Sequence, residues 1–253
     1  SFDPLIDSSN FTPEIWVKVA DTIERNYDLF DGFVILHGTD TMAYSASAVS
    51  YMLENLSKPV IFTGSQLPVG LVRTDGRENI IASLELAAER ENGAAVIQEV
   101  CIYFNNKLTR GNRTTKVSTE NFSAFRSPNY PPLVDVGLHL KFNYANISQN
   151  NGDRQLKVHR QFDNNVAILK IFPGLSRQYV RSILNTEGVR GVIMETFGAG
   201  NAPTSRWFLD ELKEYIDRGG IILNVTQCSG GTVEMGLYET SREMISIGIV
   251  SGQ

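Results

Sequence analysis

A chain of 253 residues, 42% of them hydrophobic, is long enough for one large core or two modest ones, since domains run to roughly 100–200 residues. Its net charge of −5 and pI near 5.3 argue against a nucleic-acid partner, whose footprint is a basic stripe, and no apolar run approaches the ~18 residues of a membrane span. Cys101 and Cys228 lie far apart, in or beside apolar strand-like runs, a usage that fits a reduced, intracellular chain better than a disulfide framework.

Thr12-Pro13-Glu14 reads as N-cap, N1 proline and first-turn acid, opening a helix with Ile15, Trp16, Val19 and Ile23 on one stripe. GFVILH (32–37) has the length and β-branching of a buried strand. The next helix is expected to bury Met42, Ala46, Val49 and Leu53, and PVIFTG (59–64) is another strand. A helix with Ile80, Leu84 and Ala87 inward follows, then the strand VCIYF (100–104). Strand–helix–strand units of this size require crossovers, so the sheet should be largely parallel with helices on both faces.

From about Asn143 to Asn165 the periodicity dissolves into polar FNYANISQNNGDRQLKVHRQFDNN, which reads as a linker with room for one short strand. Beyond it the alternation restarts with strands at 166–172, 189–195 and 221–227 and helices near Ser176–Leu184 and Ser205–Tyr215. The expected architecture is therefore two α/β domains. A larger N-terminal domain (1–142) carries a mainly parallel sheet flanked by helices, a linker spans 143–165, and a smaller C-terminal domain (166–253) holds a parallel sheet.

In open parallel sheets, ligands bind outside the carboxyl ends of the strands. Thr39, Asp40 and Thr41 occupy that place after strand 32–37, Thr63 to Gln66 after 59–62, Asn105 to Lys116 after 100–104, and Gly198 to Asn201 after 189–195. Hydroxyls, amides, a carboxylate and a lysine would converge on one rim, where a helix N-terminus also favours an anionic group. Each feature has a plainer reading. Thr or Asp at such a junction is commonly an N-cap, Asn105-Asn106 reads equally as a turn, and Arg110, Arg113 and Lys116 as a solvated basic loop. His37 reads as a strand-end residue satisfied by backbone. With only His37, His139 and His159, and no Cys/His/Asp cluster at ligand spacing, a metal site has little support. FGAGNAP (197–203) places Pro203 where GxGxxG needs its third glycine, which weakens a nucleotide-dependent reading.

The segments HGTDTMAYSASA, PVIFTGSQLP, FNNKLTRGNRTTK, SPNYPPL and NVTQC together resemble the type I, cytoplasmic L-asparaginases, over nearly the whole chain. The resemblance implies hydrolysis of L-asparagine to aspartate and ammonia by acyl transfer to a threonine, and leaves weak turnover of L-glutamine open. It also implies a cytoplasmic homotetramer built from intimate dimers, and no cofactor, nucleic acid or membrane partner. By position, Thr39 matches the second catalytic threonine and Lys116 its basic partner, while Asp40 matches the acceptor for the substrate's α-ammonium. Ser8 and its neighbour Ser9 match the segment that binds the α-carboxylate. Ser65 and Gln66 match the loop beside the scissile amide, and Asn201 an asparagine that reaches into the neighbouring subunit's site. A lysine beside a threonine hydroxyl can activate it, and backbone N–H groups can stabilise an oxyanion.

Two departures accompany the resemblance. The family's nucleophile belongs to a Gly-Gly-Thr-Ile-Gly turn after the first strand, so it is expected upstream of Ser1, with that strand missing from the given sequence and material absent at the other end as well. Gly230-Gly231-Thr232-Val233 supplies the residue types but after a late strand, outside the motif's context. Some type I enzymes also carry an allosteric asparagine pocket, to which Thr115 and Cys228 correspond, yet Glu195 stands where that pocket has an arginine. A carboxylate cannot supply the guanidinium fork. The leading expectation is an asparagine amidohydrolase, and the alternative is a non-catalytic amino-acid-binding or regulatory relative.

Overall fold

The computed structural model describes residues 5–148, 154–236 and 239–252, and the side chains of 239–241 fall outside that description. The chain divides into two compact units, residues 1–161 and 162–253, each with its own hydrophobic cluster or clusters. Residues 149–153 of the segment read as a linker lie outside the described residues.

The first unit is built on helices α1 (Pro13–Arg25), α2 (Met42–Met52) and α3 (Gly76–Ala88) and strands β1 (Phe33–Leu36), β2 (Val60–Thr63), β3 (Val100–Phe104), β4 (Lys107–Arg110), β5 (Val134–Val136) and β6 (Leu140–Phe142). These strands lie in numerical order across one sheet. β1, β2 and β3 are parallel, as strands joined by helical crossovers must be, and the sheet continues antiparallel through β4, β5 and β6. Alternation along β2 and β3 assigns the two faces. Val60, Phe62, Val100, Ile102 and Phe104 pack with residues of α1 and α2, whereas Ile61, Cys101 and Tyr103 pack with Ala82, Leu86 and Ala87 of α3. Helices thus cover both faces, and β2 is buried throughout.

Local departures from the expected pattern have physical causes. β1 is only half-buried and Leu36 is 63% exposed, because β1 pairs with β2 alone among the described strands. In α3 Leu84 points outward and Leu86 inward. Ile80, Ile81, Leu84 and Leu86 put apolar residues around most of that helix, so the stripe does not reveal the buried face. The segment after β3 is not an open rim loop. Asn105 and Asn106 take φ values of 47° and 63°, the left-handed pair that a two-residue hairpin turn requires. The chain then returns as β4, with Leu108 and Thr109 buried. Arg110 is not a solvated loop residue either. Its guanidinium pairs with Glu99 and stacks 4.3 Å over the Tyr130 ring. A short turn then sends Thr115 and Lys116 back beside Phe125 and Arg126.

The second unit has four parallel strands in numerical order: β7 (Val166–Lys170), β8 (Gly191–Thr196), β9 (Ile221–Thr226) and β10 (Val250–Ser251). Its helices are α4 (Arg177–Leu184), α5 (Arg206–Asp217) and α6 (Glu239–Ser246). Ser176 caps α4 by accepting from the Tyr179 N–H. Val180, Leu184, Phe208, Leu212 and Tyr215 pack on Leu169, Val192, Met194 and Ile222. The fold is α/β in both units.

Candidate functional site

Gly38 to Thr41 follow β1 directly, and Gly64 to Leu67 follow β2. Because Leu36 and Thr63 are partners in the parallel ladder, the two loops leave the sheet side by side. Their backbones touch: the His37 N–H donates to Thr63 O at 2.8 Å, and a Cβ on Gly64 would sit 2.2 Å from His37 O. Only a residue without a side chain allows that approach.

Lys116 reaches this junction from the returning segment. Its Nζ donates to Thr39 Oγ1 at 2.8 Å and to Asp40 Oδ1 at 2.7 Å. The lysine side chain is 17% exposed and the Asp40 carboxylate 69%, so the cation is held within the wall while the anion faces outward. Neither Asp40 nor Thr41 caps α2 with its side chain. The described N-cap, Thr41, makes no such bond and instead donates from Oγ1 to Ser8 O at 2.6 Å. Ser8 is buried and packs on Gly38, where an added Cβ would lie 2.6 Å from Ser8 Oγ. Ser8, Thr39, Asp40 and Lys116 are thereby brought together. Ser9 is exposed: its N–H and hydroxyl both donate to Asp7 Oδ1, and the Ser9 hydroxyl, followed by its backbone N–H, holds the Asp7 carboxyl below its usual range.

Behind the loop lies a second set of bonds that sequence reasoning did not find. His37 Nδ1 faces Gly38 O at 2.6 Å, so that nitrogen carries the proton. Its Nε2 is then the acceptor for Ser45 Oγ at 2.8 Å, and Ser45 in turn accepts from Trp16 Nε1 at 2.9 Å. Burial pushes the His37 pKa down, with the bond to Gly38 O opposing the shift. The sole sequence signal was the satisfaction of His37 by backbone, and the Ser45 and Trp16 links are visible only in three dimensions.

On the other loop, Ser65 and Gln66 are half-buried, and Gln66 Nε2 donates to Asn121 O at 3.1 Å, in the segment that follows Lys116. Thr115 is exposed next to Lys116. Asn201, Glu195 and Cys228 belong to the second unit. Asn201 closes a tight 197–201 loop by accepting from the Phe197 N–H. That loop is held from beneath by buried Asn224, which donates to Gly200 O and accepts from Thr196 Oγ1. Glu195 pairs with Lys170 at 3.3 Å, and Cys228 is exposed. Thr232 is exposed as well, beside buried Val233. Among the described residues, no group of three His, Cys, Asp or Glu side chains is placed to hold a metal ion, and no helix is long and apolar enough to cross a membrane. Chemically, the first unit's rim offers a threonine hydroxyl in contact with an ammonium, an outward carboxylate for a cation, and polar loop groups at hydrogen-bonding reach of one another.

The family model described as "Asparaginase, N-terminal" matches residues 1–148, and "Glutaminase/Asparaginase C-terminal domain" matches 165–253. The chain is 46% identical over 251 residues to L-asparaginase 1 of Escherichia coli, covering 99% of this chain and 72% of that protein. It is also 46% identical over 249 residues to the 60 kDa lysophospholipase of Mus musculus, covering 98% of this chain and 43% of that one. Among solved structures, L-asparaginase I of Vibrio cholerae superposes with a TM-score of 0.90 at 44% identity, covering 99% of this chain and 74% of that chain. Matched by both models along nearly its whole length, the chain belongs to the asparaginase family.

Proposed function

We propose that the protein hydrolyses L-asparagine to L-aspartate and ammonia. The observation that carries this is the Lys116 ammonium bridging Thr39 Oγ1 and Asp40 Oδ1. A nucleophile attacks the side-chain amide carbon, the C–N bond breaks as the leaving nitrogen takes a proton, and water then hydrolyses the resulting ester to aspartate. Lys116 and Thr39 lie within hydrogen-bonding distance of each other, so the pair can relay that proton. Asp40 takes the α-ammonium, Ser8 the α-carboxylate, and the Ser65–Gln66 loop flanks the scissile amide. The acyl group passes to a threonine, and Thr232, exposed in the second unit, is not that threonine. Asn201 completes the site of a neighbouring subunit in a cytoplasmic homotetramer of intimate dimers. The protein has a larger N-terminal and a smaller C-terminal domain.

The name of the mouse relative raises a lipid substrate as a second possibility. The rim argues for asparagine, because Ser8, Thr39, Asp40, Ser65, Gln66 and Lys116 are all polar and suit a small zwitterion, whereas an acyl chain requires an apolar groove. Ammonia release from L-asparagine, L-glutamine and a lysophospholipid control, measured on the gene's full product, tests the reading. Turnover of asparagine at least ten times that of glutamine is expected, and its absence overturns the assignment.

A further inference from the structure

Asp75 precedes α3 in a Thr-Asp-Gly sequence, where an aspartate ordinarily accepts from the N–H groups of the first helical turn. Here it makes no such bond. Thr74 takes the neighbouring role, its Oγ1 accepting from the Gly76 N–H at 3.0 Å. The Asp75 carboxylate is directed at the segment after β2. It accepts from the Gln66 N–H at 3.0 and 3.1 Å through its two oxygens, and from the Leu67 N–H at 3.2 Å.

Two neighbours grip the same segment. Buried Asn79 donates from Nδ2 to Gly64 O at 2.9 Å and to Asp75 Oδ2 at 3.3 Å, and Thr74 Oγ1 donates to Leu67 O at 2.9 Å. Four backbone groups between Gly64 and Leu67 are thus satisfied by three side chains from the start of one helix. The segment contributes no ladder bond at these positions, so its backbone shape is set by those side chains and not by the sheet. The helix start also abuts the loop directly, since a Cβ on Gly76 would lie 3.1 Å from Ser65 Cβ.

We propose that Asp75, seconded by Asn79, is a positioning residue that fixes the Ser65–Gln66 loop against the substrate's amide end. The carboxylate is suited to this because both its oxygens accept and neither can donate, so two consecutive N–H groups are drawn to one point. Misplacing a substrate-contacting loop by about an ångström can cost on the order of 100-fold in rate. The inference rests on the proposed asparagine hydrolysis for its substrate, and on the bonds above for its mechanics.

Asp75→Asn is the test, because it keeps the shape and one acceptor but turns an NH2 group towards an N–H. In the gene's full product, Asp75→Asn should raise KM for asparagine at least 10-fold and weaken binding of aspartate, measured by calorimetry, to a similar degree. Amide hydrogen exchange at Gln66 and Leu67 should quicken while the rest of the first unit keeps its protection. Asn79→Asp, which sets a carboxylate against Gly64 O and Asp75, should reproduce the pattern should Asp75→Asn prove too unstable to assay. Unchanged exchange at Gln66 and Leu67 overturns the mechanics, and a lowered active fraction with KM unaltered makes Asp75 merely structural and overturns the role. A wild-type protein inactive on asparagine but with accelerated exchange in the variant would sink the functional reading and the substrate half of this inference, leaving the loop clamp standing.

Discussion

Lys116 Nζ stands 2.8 Å from Thr39 Oγ1, although 77 residues separate the two in sequence, and the same ammonium holds Asp40. The hydroxyl thus has a charged partner within hydrogen-bonding distance. Lys116→Met should lower kcat for asparagine by at least ~100-fold, the range for losing proton-transfer assistance. Circular dichroism should show an intact fold, because the lost ion pair has one largely exposed member and such pairs contribute about 0–1 kcal/mol. Activity within a few-fold of wild type would remove Lys116 from the chemistry.

Asp40 separates binding from stability. Its carboxylate is 69% exposed, so Asp40→Ala should move Tm by no more than about 3 °C. Turnover of asparagine should nearly vanish, since the substrate's ammonium would lose its counter-charge on binding. Steady-state kinetics beside a thermal melt decide the point, and retained turnover would reduce Asp40 to a loop residue.

His37 gives the protein a pH signature. Burial depresses its folded-state pKa below the ordinary 6.5, so between those two values the unfolded chain binds a proton that the folded chain does not. Stability then rises with pH in that window: it is fully present above about 6.5 and declines as pH falls towards the depressed value. His37→Gln should flatten the fall in Tm between pH 7 and 5 relative to wild type. An unaltered slope would show that His37 does not carry the effect.

Thr232 should be dispensable. It is exposed and follows a glycine pair after β9. Thr232→Ala in the gene's full product should keep kcat/KM for asparagine within two-fold, and a collapse of activity would make it the nucleophile after all.

The βα units were readable because short β-branched apolar runs such as VIFT and VCIYF can only be buried strands when helical patterns separate them. β4 escaped that reading since Lys-Leu-Thr-Arg carries just two inward residues, and the turn chemistry of Asn105-Asn106 was its real signal. In the site, Thr39, Asp40 and Lys116 were legible from strand-end position and from resemblance, and folding does bring them into contact. The supports were not. Asp75, Asn79, Thr41 and Ser45 look like caps and helix-face residues, and their bonds to backbone and side-chain groups elsewhere in the sequence have no periodicity to betray them.

Gly38 and Gly64 carry a consequence for redesign. Ser8 occupies the space a side chain at 38 would need, and the His37 carbonyl occupies the space at 64. Nothing remains at either position to trim, and any enlargement would displace Ser8 or force the 37–41 and 64–67 loops apart. On the proposed reading of this rim, room for an amide one methylene longer has to come from Ser65, Gln66 and the helix start that holds them.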